Sequence, residues 1–123
     1  APSELPYSDL AAGNAWWPEQ VLGAGYHCVP LMSTGWDNRP RIGVPELGNA
    51  TAVEWYTPAT STELGTNLTA MCQFVRDHPS CCNARTVIIY AWNEIDEGGW
   101  LLPTASTGTD RLVVLEQVNR RLY

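Results

Sequence analysis

An acidic segment follows a run of apolar and β-branched residues near the C-terminal end of the chain. Residues 87–92 read VIIYAW, and the next five residues, NEIDE, contain the carboxylates of Glu94, Asp96 and Glu97. Carboxylates this close repel one another, and we expect at least one pKa to be raised. Hydrolysis of a glycosidic bond uses two carboxyl groups, one of which must be protonated. We therefore take Glu94 and Glu97 as the candidate catalytic pair.

The position of these acids favours a functional site over the alternative, a solvated acidic loop. Residues 86–92 predict a buried strand, because a continuous apolar and β-branched run is typical of central parallel strands. In parallel α/β folds the active site lies at the C-terminal ends of the strands. The acids begin where this predicted strand ends, between Trp92 and the pair Gly98-Gly99.

A second apolar run precedes a loop rich in functional side chains. Residues 26–34, YHCVPLMST, predict another buried strand, in which Pro30 is unfavourable for a central position. The loop GWDNRPR follows at 35–41. Asp37 could bind a sugar hydroxyl or pair with Arg39 or Arg41, and the neighbouring tryptophans could stack on sugars or fill the core. The candidate substrate-binding residues are Trp36, Asp37, Trp92, Asn93, Asp96 and Trp100.

Three helices are predicted around these strands. The first begins at Ser8 and is interrupted at Pro18. The second begins at Thr60, which forms a capping box with Glu63, and carries apolar residues at helical spacing. The third is capped by Thr109. Residues 1–7 are expected to be a lead-in, and residues 42–59 a long irregular loop.

The order helix, strand, helix, strand, helix predicts an α/β chain with a parallel sheet. Two strands cannot form a stable sheet of that class alone, and a complete (β/α)8 barrel needs about 250 residues. We therefore expect residues 1–123 to form one partial domain, the C-terminal part of a TIM-like barrel. Its parts are 8–41 with the first helix, strand and loop, 42–59 with the long loop, and 60–123 with the remaining elements.

Composition narrows the possible partners. The chain has 123 residues, 45% of them apolar, and a formal net charge of -6, which argues against disorder. All seven basic residues are arginines and they form no cluster, so we expect neither nucleic acid nor a membrane as partner. No spacing of His, Cys and Asp resembles a metal site, and no cofactor is expected. Six tryptophans suit a carbohydrate ligand.

The four cysteines permit two disulfides. Cys72 paired with Cys81 or Cys82 would join the end of the second helix to the start of the next strand. Adjacent Cys81 and Cys82 are unfavourable partners for each other, because disulfide geometry separates the two Cα atoms by about 5.5 Å. Cys28 is expected to be a buried free thiol.

Two sequons, at Asn49 and Asn67, predict N-glycosylation. Together with the cysteines they favour a secreted, extracellular protein.

The acidic segment also resembles a known family. AWNEIDEGGWLLPT is similar to the W-N-E-x-x-E-G segment of glycoside hydrolase family 99, to WbsX-like proteins and, more loosely, to the family 71 α-1,3-glucanases. GWDNRPR is similar to the G-x-D-x-x-P-R loop of the same group. The resemblance runs from about Ser8 to Tyr123 and covers the C-terminal third of such an enzyme. It implies that Glu94 acts as base toward the sugar 2-hydroxyl and Glu97 as general acid on the leaving oxygen, with net retention.

A second function is compatible with the same residues. The chain could be a non-catalytic carbohydrate-binding or structural protein derived from a glycosidase barrel, because missing strands mean missing substrate contacts. Either way, we expect another chain, or further copies of this one, to complete the barrel. The chain could also be one piece of a cleaved precursor.

Overall fold

The computed structural model describes residues 3–45 and 54–122. Within them the chain is a mixed α/β fold without a closed barrel. Its loops include 3-10 turns at Arg39–Arg41 and Ile95–Glu97. The helices and strands are β1 (Ser3–Leu5), α1 (Tyr7–Gly23), β2 (Leu31–Ser33), β3 (Glu54–Tyr56), α2 (Ser61–Asp77), β4 (Ile88–Tyr90), β5 (Asn93–Glu94), β6 (Gly99–Trp100) and α3 (Asp110–Leu122).

The two predicted strands pair in parallel, as the alternation of helices and strands indicates. β2 lies beside β4 with Leu31 opposite Ile88 and Ser33 opposite Tyr90. Both strands are shorter than predicted. Residues 26–30 lie outside the ladder. Pro30 has no N–H to donate to a neighbouring strand. Its carbonyl accepts a hydrogen bond from the Ile88 N–H at 2.9 Å.

Four further strands of the described chain lie where the sequence predicts none. The short β5 and β6 pair antiparallel within the predicted acidic loop. β1 lies in the expected lead-in and β3 in the expected irregular loop, and the two pair in parallel with Ser3 opposite Glu54 and Leu5 opposite Tyr56. Residues 46–53 of that loop fall outside the described residues. β1 and β3 each have only three residues, too few for a periodic pattern, and their hydrogen-bond partners lie some fifty positions away. The prediction of a lead-in and of an irregular loop is therefore wrong for residues 3–5 and 54–56.

Helix α1 begins at Tyr7 after Pro6 and continues through Pro18, so the predicted start at Ser8 and the predicted interruption are both wrong. A proline inside a helix removes the hydrogen bond to the carbonyl four residues earlier, here that of Asn14. The Pro18 ring is fully buried, and this burial offsets part of the cost.

The predicted start of α2 is confirmed in its details. The Glu63 N–H donates to Thr60 Oγ1 at 3.2 Å, and the Thr60 N–H donates to Glu63 Oε2 at 2.8 Å. Helix α3 follows Thr109, whose carbonyl accepts from the Val113 N–H. The two helices pack closely at Gly65, where a Cβ would lie 2.7 Å from Val114.

The helices cover one face of the β2–β4 pair. Met32 and Ile89 face them and join a cluster with residues of α2 and α3. On the opposite face Leu31 and Ile88 are 39% and 49% exposed. The helix-facing cluster contains Tyr7, Met32, Ala59, Leu64, Leu68, Met71, Cys72 and Val118.

All four cysteines are buried and unbonded in the structure. Cys72 lies in the cluster just described, whereas Cys81 and Cys82 belong to a second one with Cys28. The predicted crosslink from Cys72 to Cys81 or Cys82 is therefore not formed, because the side chain of Cys72 packs against a different part of the core. None of the described helices combines the length and apolar character needed to cross a membrane.

The two sequons differ in what the structure describes. Asn49 lies outside the described residues. Asn67 is only 4% exposed, and its amide nitrogen donates to Tyr7 Oη at 2.8 Å and to Asn14 Oδ1 at 3.1 Å. A glycan on that nitrogen has no room in this fold.

Candidate active site

Two loops meet where β2 and β4 end. The first runs over residues 34–41 and the second over residues 91–100. Parallel strands end at the same edge, so the loops after them are neighbours. The Thr34 N–H donates to the Tyr90 carbonyl at 2.6 Å, and the Asp37 N–H donates to the Glu97 carbonyl at 2.7 Å.

Close backbone contact between these loops depends on glycines. Gly98 has φ +76°, and a Cβ there would lie 2.6 Å from the Asp37 nitrogen. A Cβ on Gly35 would collide with the Gly98 carbonyl. Only residues without a side chain allow the two backbones to approach this closely.

Arg41 lies among the three acids. Its Nε donates to Asp96 Oδ2 at 2.7 Å, and its Nη1 donates to Glu97 Oε1. Its Nη2 lies 3.6 Å from Glu94 Oε2. The side chain of Glu97 is 17% exposed and that of Glu94 43% exposed. The predicted catalytic pair is thus brought together around one guanidinium.

The electrostatics differ from those expected from three mutually repelling acids. The hydrogen bond from Arg41 holds the pKa of Asp96 below its ordinary value. Carboxylate repulsion, on which the expected upward shift depends, is countered here by a cation between the acids.

Asp37 pairs with Arg39, so of the alternatives open in the sequence the ion pair with Arg39 is formed. Its Oδ1 accepts from the Arg39 Nε at 2.9 Å and its Oδ2 from Nη2 at 2.7 Å. This pairing lowers the pKa of Asp37. The Arg39 guanidinium also lies 4.2 Å from the ring centroid of Trp55.

The other predicted substrate-binding residues differ in their exposure and contacts. Trp36 packs against Tyr90, with ring centroids 6.5 Å apart. Asn93 is exposed on β5, opposite Trp100 on β6. Trp92 is an exposed large side chain, whereas Trp100 is half-buried.

Arg111 of α3 holds the base of the site together. It is 3% exposed, and its guanidinium donates to the carbonyls of Thr34, Trp100 and Ala59 at 3.3, 2.8 and 3.2 Å. It lies 3.7 Å from the ring centroid of Trp100. One side chain thus joins the loop after β2, strand β6 and the segment before α2.

Several buried polar atoms around the loops lack a partner among the described residues. Such atoms are few in native proteins and are costly unless something pairs with them. Most are donors or hydroxyls, and all of them are shielded from solvent. They are Asn38 Oδ1, Trp55 Nε1, Tyr90 Oη, Trp100 Nε1 and, on the inner side, Arg111 Nε.

Sequence reasoning missed the roles of Arg41 and Arg111. A signal for Arg41 was available, because the parallel pairing of the two predicted strands places the loop 35–41 beside the acids. Arg111 gave no such signal, since an arginine in the first turn of an amphipathic helix is ordinarily exposed.

A cleft of about 390 Å³ lies elsewhere, between α2, β4 and α3, and is lined by Leu68, Val87, Leu115 and Asn119. Its lining contains none of the residues predicted to bind substrate and none of the three clustered acids. The candidate site is the pair of loops, not this cleft.

No protein-family model, no curated protein and no solved structure matches the chain.

Proposed function

We propose that the chain belongs to a glycoside-hydrolase-like (β/α)8 barrel and acts on a glycan through Glu94 and Glu97. One observation carries the proposal. The two carboxylates contact the same guanidinium, that of Arg41, at the C-terminal edge of a parallel strand pair. Two carboxyl groups within reach of one small group are what a paired-carboxylate mechanism requires.

The roles follow from exposure and from the resemblance to family 99. Glu97 is the less exposed of the two acids, which suits a general acid delivering a proton to the leaving oxygen away from bulk water. The more exposed Glu94 would act as base toward the sugar 2-hydroxyl.

Arg41 must withdraw, at least in part, before either acid can reach a substrate. Its single positive charge offsets part of the negative charge of the three acids, and its side chain, 24% exposed, is held by oxygens of Asp96 and Glu97. A sugar that displaces it exchanges one set of hydrogen bonds for another.

The same contact favours a second candidate function, carbohydrate binding without turnover. If Arg41 stays on the carboxylates, no acid is free to donate a proton. The exposed side chains of Trp92 and Asn93 would still offer contacts to a glycan.

The exposed face of β2–β4 supports the barrel proposal. In a (β/α)8 barrel one face of the sheet packs on the helices and the other fills the barrel interior. Met32 and Ile89 pack on the helices here, and Leu31 and Ile88 lie on the uncovered face. We propose that strands of another chain, or of further copies, cover that face. Secretion and glycosylation at Asn49 remain predictions.

Substitution of the acids tests the catalytic role. Glu94→Gln and Glu97→Gln should each abolish release of reducing ends from α-mannan and α-1,3-glucan, tested with the assembled protein. Glu19→Gln on the exposed side of α1 is the matched control. Unchanged turnover in either acid variant would overturn the assignment.

Binding distinguishes the second candidate. If either glycan quenches the tryptophan fluorescence of the wild type but no reducing ends are released, the chain binds carbohydrate without hydrolysing it. If it does neither, both proposals fail for these glycans.

A further inference from the structure

Three cysteines meet in the second core cluster. Cys28 lies just before β2, and Cys81 and Cys82 lie between α2 and β4. All three Sγ atoms lie within 4.8 Å of one another. The backbones are also joined there, because the Cys28 N–H donates to the Cys81 carbonyl at 3.0 Å. Two distant segments thus present their thiols to each other inside the core.

We propose that Cys28 and Cys82 form a disulfide that joins the segment before β2 to the segment before β4. A disulfide needs Cβ atoms about 3.5–4.5 Å apart and a sulfur separation near 2 Å. The Sγ atoms here lie within 4.8 Å of one another, so the two sulfurs must approach further for the bond to form. Cys82 is the better partner, since the Sγ of Cys81 is already hydrogen-bonded to the Tyr26 carbonyl at 3.2 Å. Cys81 remains a free thiol beside the bond.

The surroundings favour a neutral crosslink over a metal bound by three thiolates. The cluster is apolar and includes Phe74 and Val75. Burial raises the pKa of Cys28 and raises that of Cys82 to about 12. Metal binding requires thiolates, whereas a disulfide carries no charge into this part of the core.

The bond forms by exchange with a small disulfide such as oxidised glutathione. One cysteine thiolate attacks a glutathione sulfur, and reduced glutathione leaves. The second cysteine then attacks the mixed disulfide and releases another reduced glutathione. Two protein thiols are oxidised, one glutathione disulfide is reduced to two glutathione thiols, and the two thiol protons pass to glutathione. Because burial disfavours the thiolate, exchange is expected to proceed during folding, before the cluster closes.

Trypsin can separate the cysteines for a direct test. It cleaves after arginine but not before Pro40, so three peptides carry the cysteines: 1–41 with Cys28, 42–76 with Cys72, and 77–85 with both Cys81 and Cys82. The chain is refolded from urea at pH 8 with oxidised and reduced glutathione, alkylated and digested without reduction. Mass spectrometry should find peptide 1–41 linked to peptide 77–85, and peptide 42–76 alkylated.

Three variants identify the partner. Cys28→Ser should abolish the link, Cys81→Ser should keep it, and the matched control Cys72→Ser should leave it unchanged. Reduction should lower the urea midpoint of the crosslinked chain by about 1–2 M. Four alkylated cysteines, a link through Cys72, loss of the link in Cys81→Ser, or zinc retained in place of the link would each overturn the proposal.

Discussion

The N–H of Asp37 donates a 2.7 Å hydrogen bond to the carbonyl of Glu97, and this bond joins the two loops of the candidate site. It fixes the backbone of a proposed catalytic acid against the loop that supplies Arg41. The side chains of both loops are therefore positioned by one backbone contact, and the glycines beside it allow the approach.

Gly98→Ala should destabilise the chain by about 2–4 kcal/mol, because alanine is strained at positive φ and its Cβ would collide with Asp37. Urea unfolding measures the change. Gly13→Ala in α1 is the control, since a Cβ there meets nothing within 4 Å and should stabilise by about 0.5–1 kcal/mol. Equal stability of the Gly98 variant and the wild type would contradict the close approach.

Arg41→Gln should raise the pKa of Asp96 toward its ordinary value of about 3.9, as the hydrogen bond from the guanidinium is lost. A carboxylate whose pKa is lowered by folding contributes stability above its unfolded value and loses it as pH falls through the folded value. The wild type should therefore be more stable than the variant at pH 7, and the difference should vanish at strongly acidic pH.

Carboxyl chemical shifts across a pH titration, together with urea unfolding at each pH, check this expectation. Arg120→Gln, which removes an exposed pair with Glu116, is the control and should leave the Asp96 titration unchanged. A stability difference that grows toward low pH would have the wrong sign.

Arg111→Met should destabilise the chain by at least about 2 kcal/mol, because three backbone carbonyls lose their donor inside the protein. Arg111→Lys should recover only part of this loss, since a lysine cannot reproduce the planar fork. Arg76→Met on the exposed side of α2 is the control. Thermal unfolding measures the stability of all three variants. A lysine variant as stable as the wild type would show that the planar guanidinium is not what stabilises this part of the chain.

Tyr7→Phe should cost about 1–3 kcal/mol, because the Ser33 carbonyl and the Asn67 amide each lose a buried partner. Tyr26→Phe removes a hydroxyl from a side chain that is 71% exposed and should change stability by less than about 0.5 kcal/mol. If the two variants unfold at the same urea midpoint, the hydrogen bonds of the Tyr7 hydroxyl contribute nothing to stability.

The elements with strong local patterns were predictable from the sequence. The capping box of Thr60 and Glu63 and the apolar spacing of α2 depend on residues a few positions apart, so the sequence displays them directly. The parallel β2–β4 pair follows from two buried runs separated by a helix. The grouping of Glu94 with Glu97 follows from their position after β4.

The remaining features depend on distant partners, which a local pattern does not contain. β1 and β3 are stabilised by each other across some fifty residues. Pro18 is accommodated because tertiary packing buries its ring. Cys28, expected to be alone, meets Cys81 and Cys82 only because β2 and β4 pair. Arg41 likewise reaches its acids only after the loops are brought together.

The Arg41 contacts to Asp96 and Glu97 span 55 and 56 residues of chain. The entropy of closing such long loops must be overcome before these contacts can contribute, whereas α2 gains most of its bonds locally. The acid cluster therefore belongs to the non-local part of folding and cannot exist in a chain that has formed only its helices. Any activity or binding measured at this site would report on completed assembly of the whole chain.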